Sequence, residues 1–570
     1  MYGPRGQRSA AGHHAAKREA EQAQIRTVVS ISRPLDYGER IFYFADTIGI
    51  VTLARADTAK VESHGRDPEI IHGAGQCIHD LIQHRALEPR MRVAQNSDQR
   101  SPEFFRFLEQ SLQLASRARD IQRLFDRLSI SHDASFYVPF IGFAKPSRFG
   151  HLHLAAGQGY IIVTLVIESL MNKFIEGENT FGARNYAPLP VVLTRGEGCH
   201  VWDTDGNRYL DMMSAYSAVS HGHAHPKLVQ VMRAQSGRLS VVSRAFYTDQ
   251  LAPFLEKACG LARMDRALPM NTGVEAVETA LKAARRWAYE VKGIADDAAE
   301  IIVCRGNFHG RTIAAVAMSS ETQYRRHFGP FPPGFRSIDY ADVQALEAAI
   351  NPNTAAFVVE PIQGEGGINV PPNGYLAACE TICRNNNVLL ICDEIQTGLG
   401  RTGKFLAGEH DDVHPDIVVL GKALGGGLYP VSLMLARREI VDLFEPGDHG
   451  STFGGNPLAA AIGLAALNVL IDEKLIENSE AMGRRLNKGL RELASPLIKE
   501  VRGKGLLIGM EIDSQGPDAR TVCERLMEHG ILTKETHETV VRIAPPLIID
   551  RGTVDWAIET IGKTLKGLTD

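Results

Sequence analysis

From about Ile167 onward, short apolar runs alternate with stretches in which apolar residues recur at helical spacing. Ile301–Cys304, Ala355–Glu360, Val388–Cys392, Ile417–Leu420 and Ser432–Ala436 read as buried strands. Between them lie amphipathic helical patterns, such as the one that opens at Asn271 and runs to about Tyr289. Alternation of this kind predicts a mostly parallel, doubly wound α/β sheet. Ahead of it, Trp202–Asp211 reads as strand, tight turn, strand, because Asp205-Gly206 is a hairpin signal. Past Asn456 the pattern changes to long helices with few strands, including Leu506–Ile512 and Val540–Ala544. This predicts a smaller α+β domain folded back over the sheet.

Residues 1–167 have a different texture. Ala11–Ile25 reads as a polar helix or tail. Ile41–Ala45 and Ile48–Leu53 look like short strands. Ile70, Ile71, Ala74, Cys77, Ile78, Leu81 and Ile82 recur at helical spacing. Ser101-Pro102-Glu103 supplies a cap, a first-turn proline and an acid for a helix carrying Phe104, Leu108, Leu112, Ile121, Leu124 and Leu128 on one side. His64, His72, His79 and His84 show no metal-ligand spacing. The region carries no recognisable reaction chemistry. Its first residues hold arginines and no acid before Glu19, which suits a solvated tail or a mitochondrial transit peptide.

Composition narrows the partners. A net charge of −5 over 570 residues gives no basic field for nucleic acid. The longest candidate membrane run, Tyr160–Ile167, is far short of a spanning helix and reads as a strand. The 8 cysteines show no disulfide framework, which favours a reducing, cytoplasmic setting, with the mitochondrial matrix as the alternative. Cys379 and Cys383 stand one helical turn apart and read as packed thiols; no metal site is expected.

The chemistry gathers at strand ends. Lys422 stands just past Ile417–Leu420 and is followed by Gly425-Gly426-Gly427. Asp393 ends Val388–Cys392. In an open parallel sheet, ligands collect beyond the carboxyl ends of strands, so the two converge on one rim. A lysine that bonds a cofactor aldehyde, with an acid for its ring nitrogen, is the pattern of pyridoxal phosphate (PLP) enzymes. Asn271-Thr272-Gly273-Val274-Glu275 offers free amides at a helix start, which suits a phosphate, although a simple capped helix reads the same way. Phe308 follows Ile301–Cys304 and could stack on a planar ring or sit in the core; Arg311 could grip a carboxylate. Glu360 and Glu365 follow the next strand, Gln396 lies three residues after Asp393, and Ser451 and Thr452 sit in a glycine-rich loop.

Together these runs resemble the class III, fold type I PLP-dependent aminotransferases, and within them the members that use ornithine. The resemblance spans about Glu168 to the C-terminus. It rests on Asn185–Pro190, Ser214–Val219, Met270–Glu275, Gly306–Thr312, Glu360–Gly367, Asp393–Gly403, Leu420–Val431, Gly450–Pro457, Val501–Leu506 and Arg542–Pro546. It implies an N-terminal segment at 168–220, a large PLP-binding domain at 221–455 and a small domain at 456–570, with 1–167 as an unassigned extension. It also implies roles. Lys422 would carry PLP and move the proton, and Asp393 would keep the ring nitrogen protonated. Phe308 would stack on the ring, Gln396 would bond near its phenolic oxygen, and the amides of Gly273 and Val274 would hold the phosphate. Ser451 and Thr452 would reach the phosphate of a neighbouring subunit, implying a homodimer or higher homo-oligomer.

On the substrate side, Arg311 would bind the α-carboxylate of L-ornithine, with Tyr186 near the α-amine and Tyr216 lining the pocket. Arg542 would take the carboxylate of 2-oxoglutarate nearest the reacting carbon, and Glu365 would mask Arg542 while ornithine is bound. The implied reaction moves the δ-amino group of ornithine to 2-oxoglutarate, linking arginine breakdown with proline biosynthesis. The competing readings are an aminotransferase for acetylornithine or 4-aminobutyrate, and a non-catalytic scaffold acting through residues 1–167. Two departures stand out: His309 where some members carry tryptophan, and Gly366 beside Glu365.

Overall fold

The computed structural model describes residues 42–44, 49–52, 135–141, 148–157 and 160–569. The chain divides into two units, Met1–Leu170 and Met171–Asp570. The helical stretches expected near 11–25, 70–82 and 101–128, and the four histidines between 64 and 84, lie outside the described residues.

In the first unit the described strands are Phe42–Phe44, Gly49–Thr52, Ser135–Ile141, Arg148–Gly157 and Tyr160–Ser169. They form one antiparallel sheet in which Tyr160–Ser169 lies between Gly49–Thr52 and Arg148–Gly157. The apolar run at Tyr160 is thus a strand, as its β-branched residues lead one to expect. The two strands expected near 42 and 50 pair as neighbours. Ser135–Ile141 and Arg148–Gly157 carried no clear alternation and were not anticipated.

The second unit is built on a seven-stranded sheet. Its strands, numbered within this sheet in chain order, are β1 Arg266–Met270, β2 Glu300–Cys304, β3 Phe335–Ile338, β4 Thr354–Val359, β5 Leu389–Asp393, β6 Ile417–Leu420 and β7 Ser432–Ala436. The spatial order is β3-β2-β4-β5-β6-β7-β1. From β3 to β6 every pairing is parallel. β7 runs antiparallel to both β6 and β1. The predicted sheet is therefore right in its parallel core, with an antiparallel edge that the apolar runs alone did not reveal. β1 carries Pro269, which lacks an N–H, and an edge position tolerates that loss.

Both faces of the sheet are covered, which is why its central strands β4, β5 and β6 read as unbroken apolar runs. Ile301, Val303, Val358, Ile391 and Val419 pack with Ala276, Val277, Ala280 and Ala284 of the Gly273–Trp287 helix. Their neighbours Ile302, Cys304, Phe357, Val359, Leu390 and Cys392 turn the other way, onto the helices Val343–Ala349 and Tyr375–Asn385. Cys379 and Cys383 are buried free thiols on that second helix. Each such aliphatic side chain contributes roughly 1.5–3 kcal/mol by leaving water.

The C-terminal part adds a four-stranded sheet with Leu507–Ile512 between Ile498–Lys504 and Val540–Ile543. Ile531–Leu532 pairs in parallel with Arg208–Asp211, the second arm of the expected hairpin. Asp203 closes that hairpin by accepting from the amides of Asp205 and Asn207 at 2.9 and 2.8 Å.

Arg401 ties these parts together. It is wholly buried, and burial lowers its pKa to about 9. Its guanidinium donates to the carbonyls of Leu506 and Pro545 at 3.0 and 2.6 Å and to Ser220 Oγ at 2.8 Å. Removing it strands three buried acceptors, each worth about 1–3 kcal/mol when left unpaired. Arg401→Ala should lower the unfolding free energy by about 3 kcal/mol or more. Urea denaturation at fixed protein and PLP concentration measures this, and an unchanged midpoint would refute it.

Candidate active site

The rim beyond β5 and β6 collects the reactive side chains. The two strands pair in parallel with Asp393 opposite Val419. Asp393 therefore ends its strand close to the level at which the chain turns through Gly421 into Lys422. Lys422 opens a short 3-10 turn with φ +45°, a left-handed conformation unusual for a residue with a side chain. Its ammonium makes no ion pair and no hydrogen bond with any described residue. Burial holds it below its ordinary pKa of 10.5, against the opposing pull of Glu365 and Asp393. A half-buried amine with no hydrogen-bond partner among the described residues and a lowered pKa has the properties of a nucleophile and a proton carrier.

Gly273 starts a 15-residue helix beside this turn. A Cβ on Gly273 would meet Ile395 at 2.9 Å, and one on Gly421 would lie 3.4 Å from the Gly273 backbone. Only glycine permits that approach. Glu275 occupies the amide of Thr272 at 2.6 Å and that of Asn271 at 3.2 Å, leaving the amides of Gly273 and Val274 as the open donors of the first turn. Asn271 Nδ2 donates to Ser451 Oγ of the same chain at 2.8 Å. Thr452 is exposed and makes no hydrogen bond with a described residue.

Asp393 is buried and both of its oxygens are engaged. Oδ1 accepts from the amide of Ile395 at 3.1 Å, and Oδ2 accepts from His309 Nδ1 at 2.7 Å. Phe308, the residue before His309, has its amide on Glu360 Oε1 at 2.6 Å, and Gly364 donates to Glu360 Oε2 at 3.1 Å. Burial pushes the Glu360 carboxyl up to about 7. Glu360 thus anchors two loops, the one after β2 and the one after β4. Arg311 lies over the Tyr324 ring at 3.7 Å and near Phe308 at 5.3 Å, exposed to solvent.

Across the rim, Arg542 and Glu365 form a two-pronged ion pair, Nη1 to Oε1 at 2.6 Å and Nη2 to Oε2 at 3.0 Å. Arg542 is 1% exposed. Burial alone would raise the Glu365 carboxyl, but Arg542 overcomes it and holds it at about 2. Gln396 Nε2 also donates to Glu365 at 3.3 Å, while Gln396 Oε1 is buried with no partner. The Arg542 guanidinium rests over Tyr216 at 4.9 Å. Burial raises the pKa of that phenol. Tyr186 is 75% exposed.

Tyr216 belongs to an unusual backbone. Ser214, Ala215, Tyr216 and Ser217 all have positive φ, from +46° to +74°. A left-handed residue with a side chain costs roughly 1–2 kcal/mol, so four in succession need firm anchoring. Asp211 Oδ1 provides part of it, accepting from the amides of Met213 and Ser214 at 2.9 and 2.8 Å. His223 holds the other oxygen of Asp211 at 2.7 Å.

The residues present fit PLP. An unpartnered lysine, an acid at a strand end, an aromatic neighbour, open amides at a glycine-lined helix start and an orphaned amide oxygen match an aldehyde, a pyridine nitrogen, a ring face, a phosphate and a phenol. Among the described residues no group of His, Cys, Asp or Glu is arranged to hold a metal ion. Among the same residues no helix is long and apolar enough to cross a membrane.

The sequence pointed to Lys422, Asp393, Gly273 and the Glu365–Arg542 pair from their strand-end positions and from the family pattern. It missed the His309–Asp393 contact, the anchoring role of Glu360 and the left-handed turn. The only signal for the first was a polar residue immediately after the candidate ring-stacking Phe308.

The family model of class-III aminotransferases matches residues 181–565. The chain belongs to the class-III aminotransferases. Members of this family are PLP-dependent transaminases of fold type I, and the sheet described above has that form. An ornithine aminotransferase of a Geobacillus species is 58% identical over 388 residues, which is 68% of this chain and 97% of the relative. The solved ornithine aminotransferase of Toxoplasma gondii is 47% identical, covers 70% of this chain and 96% of its own, and has a TM-score of 0.69. An acetylornithine aminotransferase of Elizabethkingia anophelis is 50% identical, with coverage of 70% and 99% and a TM-score of 0.65.

Proposed function

We propose that this aminotransferase moves the δ-amino group of L-ornithine to 2-oxoglutarate. The products are glutamate 5-semialdehyde, which cyclises to pyrroline-5-carboxylate, and glutamate. The observation that carries this reading is the buried Glu365–Arg542 pair beside Tyr216. One pocket must accept an ammonium-ended chain and then a dicarboxylate. A bare arginine would repel the first and is needed for the second. A carboxylate that binds Arg542 and can release it resolves the conflict. The names of the relatives from Geobacillus and Toxoplasma support the same substrate.

PLP, when bound, supplies an aldehyde for the amine to join and a ring that takes up electrons released at the reacting carbon. The protein supplies the rest. Lys422 would hold the aldehyde and carry the proton at its Nζ, a task suited to an amine whose charged form is penalised by burial. Asp393 would accept the hydrogen bond of the ring nitrogen. Phe308 would cover a ring face, Gln396 would bond near the phenolic oxygen, and the amides of Gly273 and Val274 would hold the phosphate. Arg311 turns from the Tyr324 ring to the α-carboxylate of ornithine, Tyr186 lies near its α-amine, and Tyr216 shapes the pocket wall.

The large PLP-binding domain is residues 221–455 and the small one is 456–570, preceded by 168–220. The enzyme works as a homodimer in which Ser451 and Thr452 reach the partner's phosphate site. Its setting is cytoplasmic, where the buried free thiols stay reduced. The deciding assay supplies ornithine and 2-oxoglutarate, traps pyrroline-5-carboxylate, and runs acetylornithine in parallel. Turnover of ornithine should exceed that of acetylornithine at least tenfold, about 1.4 kcal/mol of discrimination. A preference for acetylornithine, as the name of the Elizabethkingia neighbour suggests for that protein, would overturn the reading.

A further inference from the structure

Glu365 is held at both ends by one hairpin. The strands Glu535–Thr536 and Val540–Ile543 pair antiparallel, with Thr536 opposite Val540. Arg542, on the second strand, grips both oxygens of the Glu365 carboxylate at 2.6 and 3.0 Å. Thr536, only 6% exposed, donates its hydroxyl to the Glu365 backbone carbonyl at 2.6 Å. The same hairpin therefore fixes where the Glu365 side chain starts and where it ends.

The chain on either side of Glu365 is fixed as well. A Cβ on Gly364 would lie 1.4 Å from Gln396 Oε1, and one on Gly366 would lie 2.7 Å from the Gly306 carbonyl. Arg502 donates to the Gly367 carbonyl at 2.7 Å and to that of Ile368 at 3.1 Å. Gly366 thus marks close packing and not a slack loop. A carboxylate that leaves Arg542 must do so by turning its own side-chain bonds while the backbone stays.

We propose that Thr536 is a positioning residue for Glu365, anchoring the backbone from which the carboxylate reaches Arg542 and so setting how firmly that arginine is masked. Two parallel hydrogen bonds demand one distance and one plane. The released carboxylate meets no such demand. Loosening the backbone therefore costs the masked state more than the unmasked one, and a dicarboxylate then claims Arg542 more easily. The proposal rests on the reading of Glu365 as the movable mask of Arg542, and the two fail differently.

Thr536→Val keeps the shape of the side chain and removes the donor, whereas Thr536→Ser keeps the donor. Calorimetry on the PLP-loaded enzyme gives the affinity for glutarate, a dicarboxylate with neither amine nor oxo group. Single-turnover absorbance gives the ratio of the glutamate to the ornithine half-reaction rate. One neutral hydrogen bond changes an equilibrium about two- to tenfold, so Thr536→Val should bind glutarate tighter by that factor and raise the ratio likewise. Thr536→Ser should match the wild type in both. In a Glu365→Ala background Thr536→Val should change neither, because the group it acts through is gone. If Thr536→Val does not fold, Thr536→Ala carries the same expectations. Wild-type affinity and ratio in the valine variant, where Glu365→Ala shifts both, would leave the mask standing and remove Thr536 from it. An equal shift in the Glu365→Ala background, or in Thr536→Ser, would reduce Thr536 to packing. If Glu365→Ala itself shifts neither quantity, the mask reading is wrong and the role of Thr536 falls with it.

Discussion

Lys422→Ala should still take up PLP but lose transamination by about a thousandfold or more, in line with removing both a covalent anchor and an acid–base group. The retained binding follows from the site's division of labour. The open amides at Gly273 and Val274, the Asp393 carboxylate and the Phe308 ring do not depend on the lysine. The loss follows from its isolation: the lysine makes no bond to any other described residue, so no neighbour is poised to replace it. Borohydride followed by mass spectrometry separates the two effects. The wild-type chain should gain the mass of reduced PLP on the peptide containing Lys422, and the variant should not. Near-normal turnover in Lys422→Ala, or labelling at another lysine, would remove the basis of the proposed chemistry.

Glu365→Ala should move the enzyme's preference from the terminal amine of ornithine toward the α-amine of glutamate. In the wild type, Glu365 neutralises an arginine that is almost wholly buried. Without it, Arg542 stands charged in the pocket, repelling the ammonium of ornithine and free at once for a dicarboxylate. A charge-assisted hydrogen bond contributes about 1.5–3 kcal/mol, so the ratio of the glutamate to the ornithine half-reaction rate should rise roughly ten- to a hundredfold. Single-turnover absorbance changes with each amino donor measure that ratio. If it stays at the wild-type value, Glu365 is a structural partner of Arg542 and not its mask. Gln396 loses a bond partner in the same variant, so Gln396→Ala is the control.

How far the chain could be read in advance differs from element to element. Within the parallel core, β2, β4, β5 and β6 were legible because a strand buried on both faces must be apolar at nearly every position, whereas β3, with Arg336 and Ser337 exposed, was not. The antiparallel edge was not. β1 contains a proline and flanking charges, and pairing direction is set by how the chain returns, which no local pattern records. Lys422 and Asp393 could be assigned to one rim because topology alone places the ends of neighbouring parallel strands together. The Glu365–Arg542 contact joins residues 177 positions apart, and apart from the family pattern nothing near either residue announces the other.

Taken alone, the amino-acid sequence determined the apolar strands at the centre of the sheet, the long helix that opens at Gly273, that the sheet is covered on both sides, and which family supplies the chemistry. Those properties follow from local periodicity and from short motifs whose residues lie side by side. Only the tertiary structure decided that His309 grips Asp393, that Glu360 anchors two loops, and that four left-handed residues carry Tyr216 to Arg542. Such features depend on which distant groups share a buried space, where an unpaired polar atom is costly and each donor must find its acceptor.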